Sequence, residues 1–315
     1  MSNKEFTTPI LLIAWRRPKE TKEVINTLKK IKPKEIFISC DGARKGNEEE
    51  FDKVKKTRQI IRENINWDCE INWQVSDINL GCKNGVSKAI NWFFSNVNEG
   101  IILEDDVIAH EDFFKYCQNL LDKYRKDKRV WCISGSNNQD NILRGEGTYY
   151  FGKIPLIWGW ATWKDRWENF DIKLSKWPEV KSNKILENIF NDNLQKQYWE
   201  NIWESFYKSG KPDTWDYAWV FACIINNGLT TIPNKNLIKN IGFNEEAFHT
   251  KWHREISIIE SIGEKIVHPQ FFICDLEAEK YQFDYFFGGY SRRLRNNPSL
   301  RIKNKFKRIL KILIK

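Results

Sequence analysis

The sequence predicts an α/β protein built on a mostly parallel, doubly wound sheet with helices on both faces. Over the first 135 residues, short segments that are apolar or alternate apolar with polar residues are each followed by an amphipathic segment. This order is typical of strands joined by crossover helices. Arg17, Asp41 and the run Glu104-Asp105-Asp106 each lie at the end of a predicted strand. Ligands bind at the carboxyl ends of strands in such sheets, so these residues predict the position of a site.

The elements follow in order along the chain. Strands are predicted at residues 9–15, 35–40, 70–75, 100–103 and 130–135. Apolar spacing of three and four predicts helices at residues 19–30, 48–64 and 112–124. A loop at residues 79–85 is expected to open a further helix that runs to Phe94. Pro18 suits the start of the first helix. Beyond residue 135 we predict a helix at 184–208, a helix ending at 225 with Asp216 in its first turn, and a short strand at 228–232. Trp199 and Trp203 lie one turn apart and are predicted to be core.

Composition indicates a globular protein with a sizeable core. The 315 residues are 41% hydrophobic and include 15 Trp. We expect a nucleotide-binding half at 1–135, a catalytic half at 136–275 and a C-terminal extension at 276–315. The seven cysteines are scattered and form no CxxC, which predicts reduced thiols in a cytosolic protein. The chain shows no signal-peptide core and no apolar run of transmembrane length, so we do not expect export.

The positive charge is concentrated at the C-terminal end. The net charge is +9, and residues 292–315 contain ten Lys/Arg and no Asp/Glu, so removing this segment leaves −1 on the rest. Apolar residues recur on one helical face of the segment. This pattern favours a basic amphipathic helix on an anionic membrane. A nucleic-acid-binding tail and a solvated disordered tail are the alternatives.

The acidic run carries the strongest chemical signal. Three adjacent carboxylates repel one another unless a cation neutralises them. Oxygen ligands at a strand end suit Mg²⁺ or Mn²⁺ held jointly with a substrate phosphate; the alternative is a solvated acidic loop. The sequence has neither GxGxxG after the first strand nor GxxxxGK[ST], which disfavours dehydrogenases and P-loop enzymes. The pair Arg16-Arg17 could contact a diphosphate or be ordinary surface charge.

Five ordered blocks resemble glycosyltransferases of the GT-A fold, in particular bacterial surface-glycan transferases. More remotely they are similar to the animal Golgi N-acetylglucosaminyltransferase that begins hybrid N-glycans. The blocks are Ala14-Trp15-Arg16-Arg17, Ser39-Cys40-Asp41-Gly42, Glu104-Asp105-Asp106 with Asp112-Phe113-Phe114, Trp131-Cys132-Ile133-Ser134 with Asn137-Asn138, and Trp215-Asp216. They cover roughly residues 9–250. Arg16 and Tyr217 stand where the animal enzyme has acids, so its choice of donor does not transfer.

The resemblance implies a role for each matching residue. Arg17 would contact the nucleotide or its phosphates, and Asp41 would contact the base. Glu104 and Asp105 would contact the ribose and donor sugar, and Asp106 would bind the metal. Asp216 would be the general base, and His249 would lie in a loop that closes over the diphosphate. The metal would offset charge on the leaving diphosphate. A single displacement assisted by Asp216 would invert the anomeric centre.

The sequence therefore predicts a metal-dependent glycosyltransferase at the cytosolic face of a membrane, with an added acceptor-side lobe. Its expected partners are a nucleotide sugar, a lipid-linked, capsule or lipopolysaccharide-type glycan acceptor, and an anionic membrane bound through residues 292–315. Nucleic acid is not an expected partner. The alternatives are a sugar nucleotidyltransferase, which should carry a Gly-rich first loop, and a non-catalytic nucleic-acid- or carbohydrate-binding protein.

Overall fold

The computed structural model describes residues 5–242 and 258–296, which form an eight-stranded sheet, a two-stranded sheet and surrounding helices. The strands are β1 (Ile10–Ala14), β2 (Glu35–Cys40), β3 (Glu70–Val75), β4 (Glu99–Glu104), β5 (Val107–Ala109), β6 (Val130–Ser134), β7 (Tyr149–Gly152), β8 (Trp160–Trp163), β9 (Leu229–Pro233) and β10 (Ile238–Asn240). The α-helices are α1 (Pro18–Ile31), α2 (Glu48–Asn64), α3 (Gly81–Asn96), α4 (Glu111–Tyr124), α5 (Lys164–Trp167), α6 (Trp177–Ser182), α7 (Asn193–Ser209), α8 (Asp216–Ile225), α9 (Leu276–Tyr285) and α10 (Gly289–Asn296).

The large sheet is mostly parallel, as predicted. Its strand order is β3-β2-β1-β4-β8-β6-β9-β7. Strands β3, β2, β1 and β4 are parallel neighbours, and β6 is parallel to β9. Strand β8 is antiparallel to both β4 and β6, and β7 is antiparallel to β9. Consequently β1, β2, β4 and β6 all end at the same edge of the sheet.

Helices cover both faces of this sheet because its buried strands carry apolar residues on both sides. On β1, Ile10 and Leu12 join the cluster formed with α1, α2 and α4. Leu11 points the other way, into the cluster formed with α3 and α8. The predicted α/β architecture is therefore confirmed.

A third cluster forms a small helical lobe beside the sheet, built mainly from α6, α7 and α8. Trp199 and Trp203 are buried in it, with stacked rings whose centroids lie 5.4 Å apart. Their predicted role as core residues is confirmed. The eight-stranded sheet contains strands from both sides of residue 135, and the division of the chain into domains stays a prediction.

The second half differs from the prediction in its local structure. The predicted helix at 184–208 is wrong in its first part, where a 3₁₀ turn occupies Ile185–Asn188 and α7 begins only at Asn193. Two residues cause the break: Lys184 has a φ of 53°, and the Asp192 side chain accepts a hydrogen bond of 2.9 Å from the Leu194 N–H as a new N-cap. Strands β5, β7, β8 and β10 and helices α5, α6 and α9 were not predicted, and α10 overlaps the predicted basic helix only at residues 292–296.

Two predictions from composition concern thiols and membrane spans. All seven cysteines lie within the described residues and are free, as expected. Within residues 5–242 and 258–296, none of the helices combines the length and apolar character needed to cross a membrane.

Candidate functional site

The acidic run lies where β4 leaves the sheet. Glu104 ends β4 and pairs in register with Ile13 of β1, so the loops after these two strands begin side by side. The side chains of Asp105 and Asp106 are buried. The backbone N–H of Trp15, directly after β1, donates a hydrogen bond of 2.8 Å to Asp105 Oδ2. The parallel pairing of β1 with β4 thus brings two of the predicted blocks together.

Arg17 supplies a positive charge to this carboxylate run. Its guanidinium forms an ion pair with Asp106 and lies 3.4 Å from Asp105 Oδ1. Arg16 points elsewhere and pairs with the buried Glu50 at 3.2 Å. Of the two adjacent arginines, only Arg17 therefore contacts the acidic run.

The electrostatic balance favours protons on these carboxyl groups. Burial, with repulsion from Asp106 and Asp105, raises the pKa of Glu104 to about 8. Burial also raises the pKa of Asp105 to about 7, although Arg17 opposes the change. The pKa of Arg17 is raised: burial opposes this, but the carboxylates of Asp106 and Asp105 outweigh it. One guanidinium therefore leaves part of the negative charge uncompensated.

The segment after β10 packs directly on Asp106. The Ile241 N–H donates 2.8 Å to the Asp106 backbone carbonyl, and Asn240 Nδ2 lies 3.5 Å from Asp106 Oδ1. A Cβ at Gly242 would collide with the Asp106 carboxylate, so a larger residue there would displace that side chain. The chain thus approaches the acidic run at residue 242; the predicted site residue His249 lies outside the described residues.

Asp41, at the end of β2, makes contacts that the sequence did not suggest. Its carboxylate accepts hydrogen bonds from the N–H groups of Gly42, Leu80 and Gly81 at 2.9–3.2 Å. The Asn79 side chain also donates to it at 3.0 Å. Burial raises the pKa of Asp41 even though these donors oppose the change. In this structure Asp41 anchors the first turn of α3, and its predicted contact with a base stays a prediction.

Asp216, the first residue of α8, reaches the site from the second half of the chain. Thr214 Oγ1 donates a hydrogen bond of 2.5 Å to Asp216 Oδ1. The Asp216 charge contributes to the raised pKa of both Glu104 and Cys82, and the Cys82 thiol also contacts the Thr214 hydroxyl. The charge of Asp216 thus acts on Glu104 at the end of β4, and the role of Asp216 as general base stays a prediction.

Several residues that shape this site were missed at the level of sequence. The guanidinium groups of Arg16 and Arg44 both lie over the Trp15 ring, with their Cζ atoms 4.6 and 5.1 Å from the ring centroid. Lys83 Nζ lies 3.3 Å from the Gly210 carbonyl oxygen and 3.9 Å from the Phe206 ring centroid, linking α3 to the loop before Asp216. The contacts of Trp15 with Arg44 and of Lys83 with Gly210 join residues distant in sequence, and no local pattern indicates them.

The donor set suits a hard divalent cation. Carboxylate oxygens are the ligands that Mg²⁺ and Mn²⁺ prefer, and a cation would relieve the repulsion along the run. Across the described ranges, no group of three or more His, Cys, Asp and Glu side chains is arranged to hold a metal.

Comparisons with known proteins do not assign a family. No protein-family model and no curated protein matches the chain. Among solved structures, HddC from Yersinia pseudotuberculosis matches with a TM-score of 0.33 and 11% identity over 52% of this chain and 80% of its own. A UDP-glucose pyrophosphorylase complexed with UDP-glucose matches with a TM-score of 0.33 and 12% identity, over 52% of this chain and 78% of its own. The 4-diphosphocytidyl-2C-methyl-D-erythritol synthase from Anaerococcus prevotii matches with a TM-score of 0.32 and 14% identity, over 70% of this chain and 97% of its own. Likeness at these TM-scores carries no argument about the activity of this chain.

Proposed function

We propose that the chain is a metal-dependent glycosyltransferase of the GT-A type that moves a sugar from a nucleotide sugar to a glycan acceptor. The observation that carries this proposal is the meeting of three elements at one edge of the sheet. The buried acids after β4, the Arg17 guanidinium after β1 and the Asp216 carboxylate at the start of α8 come together there. This combination provides groups for a cation, for phosphates and for proton transfer.

The first half would bind the donor. Asp106 would hold Mn²⁺ or Mg²⁺, and the ion when bound would neutralise charge developing on the leaving nucleoside diphosphate. Arg17 would move from the carboxylates to the phosphates, because guanidinium and phosphate pair well. Glu104 and Asp105 would accept hydrogen bonds from the ribose and the sugar. Asp41 would contact the base, and His249 would close over the diphosphate.

Asp216 would act on the acceptor. Its carboxylate would take the proton from an acceptor hydroxyl, whose oxygen would form a bond to the anomeric carbon as the bond to the diphosphate breaks. The hydrogen bond from Thr214 would hold the carboxylate in one orientation. A single displacement of this kind inverts the anomeric configuration.

The acceptor proposed here is a lipid-linked, capsule or lipopolysaccharide-type glycan at the inner face of a membrane. Residues 292–315 would bind that anionic surface, since they contain ten Lys/Arg and no acids. Cytoplasmic synthesis at the membrane would give the enzyme both a soluble nucleotide sugar and an anchored acceptor.

A sugar nucleotidyltransferase is the second candidate. The structural neighbours include a UDP-glucose pyrophosphorylase, and such an enzyme would also use a strand-end metal site. The loop after β1 argues against it: Arg16-Arg17-Pro18 contains no glycine with which to approach a triphosphate closely. The reaction products separate the candidates, because only a nucleotidyltransferase releases pyrophosphate from a nucleoside triphosphate and a sugar 1-phosphate.

The first test is a thermal-shift screen of nucleotide sugars with and without Mn²⁺. A ligand that binds the folded state raises the melting temperature by mass action. We expect one donor to give a metal-dependent shift of several degrees in the wild type, no shift in Asp106→Ala, and a retained shift in Asp216→Asn. With that donor and an acceptor, Asp216→Asn should lose at least about a hundredfold in transfer rate.

The exposed Glu63→Gln on α2 is the matched control and should behave as wild type. Transfer by Asp216→Asn at the wild-type rate would contradict the base assignment. Pyrophosphate release from a triphosphate and a sugar 1-phosphate would establish the second candidate instead. RNA or glycan binding without any donor shift would indicate the non-catalytic alternative.

A further inference from the structure

The junction of α9 and α10 exposes an unusual amount of aromatic surface. Tyr285, Phe286 and Tyr290 are 48%, 37% and 40% exposed. Exposed clusters of large aromatic side chains commonly mark interaction surfaces. This junction, called here the aromatic junction, consists of these three residues and Tyr281.

The aromatic junction is an ordered surface rather than a set of separate side chains. The Tyr285 ring contacts the Tyr281 ring at 4.4 Å between centroids, with the two planes tilted by 39°. The Tyr290 ring lies nearly parallel to the Tyr285 ring, with centroids 6.0 Å apart. Arg293 holds α10 in place: its Nε donates a hydrogen bond of 2.6 Å to Asp284 Oδ1, and its guanidinium forms an ion pair with Asp192, the N-cap of α7. The rings are therefore held in place before any partner arrives, which lowers the entropic cost of binding.

The charge around this surface indicates what covers it. Arg295 is exposed on α10, the helix that carries Tyr290. Residues 297–315 add seven Lys/Arg and no acids. Tyrosines next to arginines and lysines are typical of protein surfaces in the headgroup region of a bilayer. We propose that the aromatic junction inserts into the headgroup region of an anionic membrane, as a contact additional to residues 297–315.

The position of the aromatic junction gives this contact a purpose within the proposed function. The Phe286 ring lies edge-on to Trp158, with centroids 6.1 Å apart. The next residue, Gly159, lies against Ile238 of β10, and a Cβ there would also touch Val107 at 3.4 Å. Val107 directly follows Asp106. These contacts connect the aromatic junction to the strand that follows the acidic run, and under the proposed function a membrane bound there would hold the lipid-linked acceptor.

The test is partition of the full chain onto sedimented vesicles of phosphatidylglycerol and phosphatidylcholine. Tyr285→Ser/Tyr290→Ser should weaken partition about tenfold by removing two buried ring faces. Tyr285→Trp/Tyr290→Trp should bind at least as tightly as wild type, because Trp also favours the interface. The control is Tyr207→Ser, a tyrosine on α7 with a similar exposure of 45%, which should leave partition unchanged.

Thermal melting of each variant verifies folding, and the donor-induced thermal shift should be the same in all of them. Wild-type partition by the double Ser variant would overturn the proposal. So would a loss of self-association in that variant, which would assign the surface to a second copy, or its binding to acidic polysaccharide in place of vesicles. Because vesicle binding requires neither donor nor transfer, this test succeeds or fails independently of the proposed activity.

Discussion

Glu104, Asp105 and Asp106 repel one another more strongly than the single guanidinium of Arg17 offsets. The pKa of Glu104 is about 8 and that of Asp105 about 7, because desolvation and the neighbouring acids disfavour the charged form of both. In the unfolded chain these groups return to their ordinary values of 4.5 and 3.8. Between those values and 7–8 the folded state binds more protons than the unfolded state, so stability must fall as pH rises through this window.

We therefore expect the free energy of unfolding at pH 9 to lie about 2–4 kcal/mol below that at pH 6 in buffer with EDTA. Denaturant titrations across this range measure the slope. Glu104→Gln should flatten it, since the amide does not titrate, whereas the exposed Glu63→Gln should not. An equal slope in Glu104→Gln and wild type would show that the acids do not interact as the structure indicates.

At the scale of elements, the turn between β3 and α3 depends on Asp41. One carboxylate satisfies the N–H groups of Gly42, Leu80 and Gly81, two of which belong to the otherwise unpaired start of α3. Close approach completes the contact, because a Cβ at Gly42 would lie 2.6 Å from the Ile78 backbone. Asp41 thus fixes the position of the helix that carries Cys82 and Lys83 to the site.

Asp41→Asn should destabilise the protein by about 1–2 kcal/mol, because the amide offers one acceptor oxygen in place of two and carries no charge toward the helix N-terminus. Chemical denaturation measures this loss. The exposed Asp52→Asn on α2 serves as control and should change stability by less than about 0.5 kcal/mol. If Asp41→Asn left the free energy of unfolding unchanged, water would replace the carboxylate as hydrogen-bond acceptor with no loss of stability.

The elements of the first half could be predicted because their signals are local. Strands at 35–40 and 70–75 and the helix at 48–64 have the predicted bounds, since alternation and helical spacing suffice for short crossover units. Strand β8 was missed because its four residues, Trp160–Trp163, are all buried and show no alternation. The start of α7 was misplaced because the Asp192 cap competes with a continuous helical pattern.

At the scale of the whole molecule, the site depends on contacts between residues far apart in sequence. The strand-end positions of Arg17, Asp41 and the acidic run follow from the parallel order β2-β1-β4, which the sequence predicts. The approach of Asp216 does not follow from any local pattern; only the family resemblance suggested it. Thr214, Asn240 and Gly242 act through such distant contacts as well, and for this reason their roles became visible only in three dimensions.

Lys83 offers a test of how the two halves hold together. Its ammonium group lies 3.3 Å from the Gly210 carbonyl oxygen and 3.9 Å from the Phe206 ring centroid, so it fastens the loop that leads to Asp216 onto the start of α3. Lys83→Met keeps the apolar stem but removes one hydrogen bond and one cation–π contact, and should cost about 1 kcal/mol. Amide hydrogen exchange at residues 210–215 should become faster, because the loop loses its hydrogen bond to Lys83. Lys88→Met, an exposed change on the same helix, should leave exchange there unaltered. If Lys83→Met also left it unaltered, the packing of α3 and α8 around Trp215 and Trp219 would by itself position Asp216.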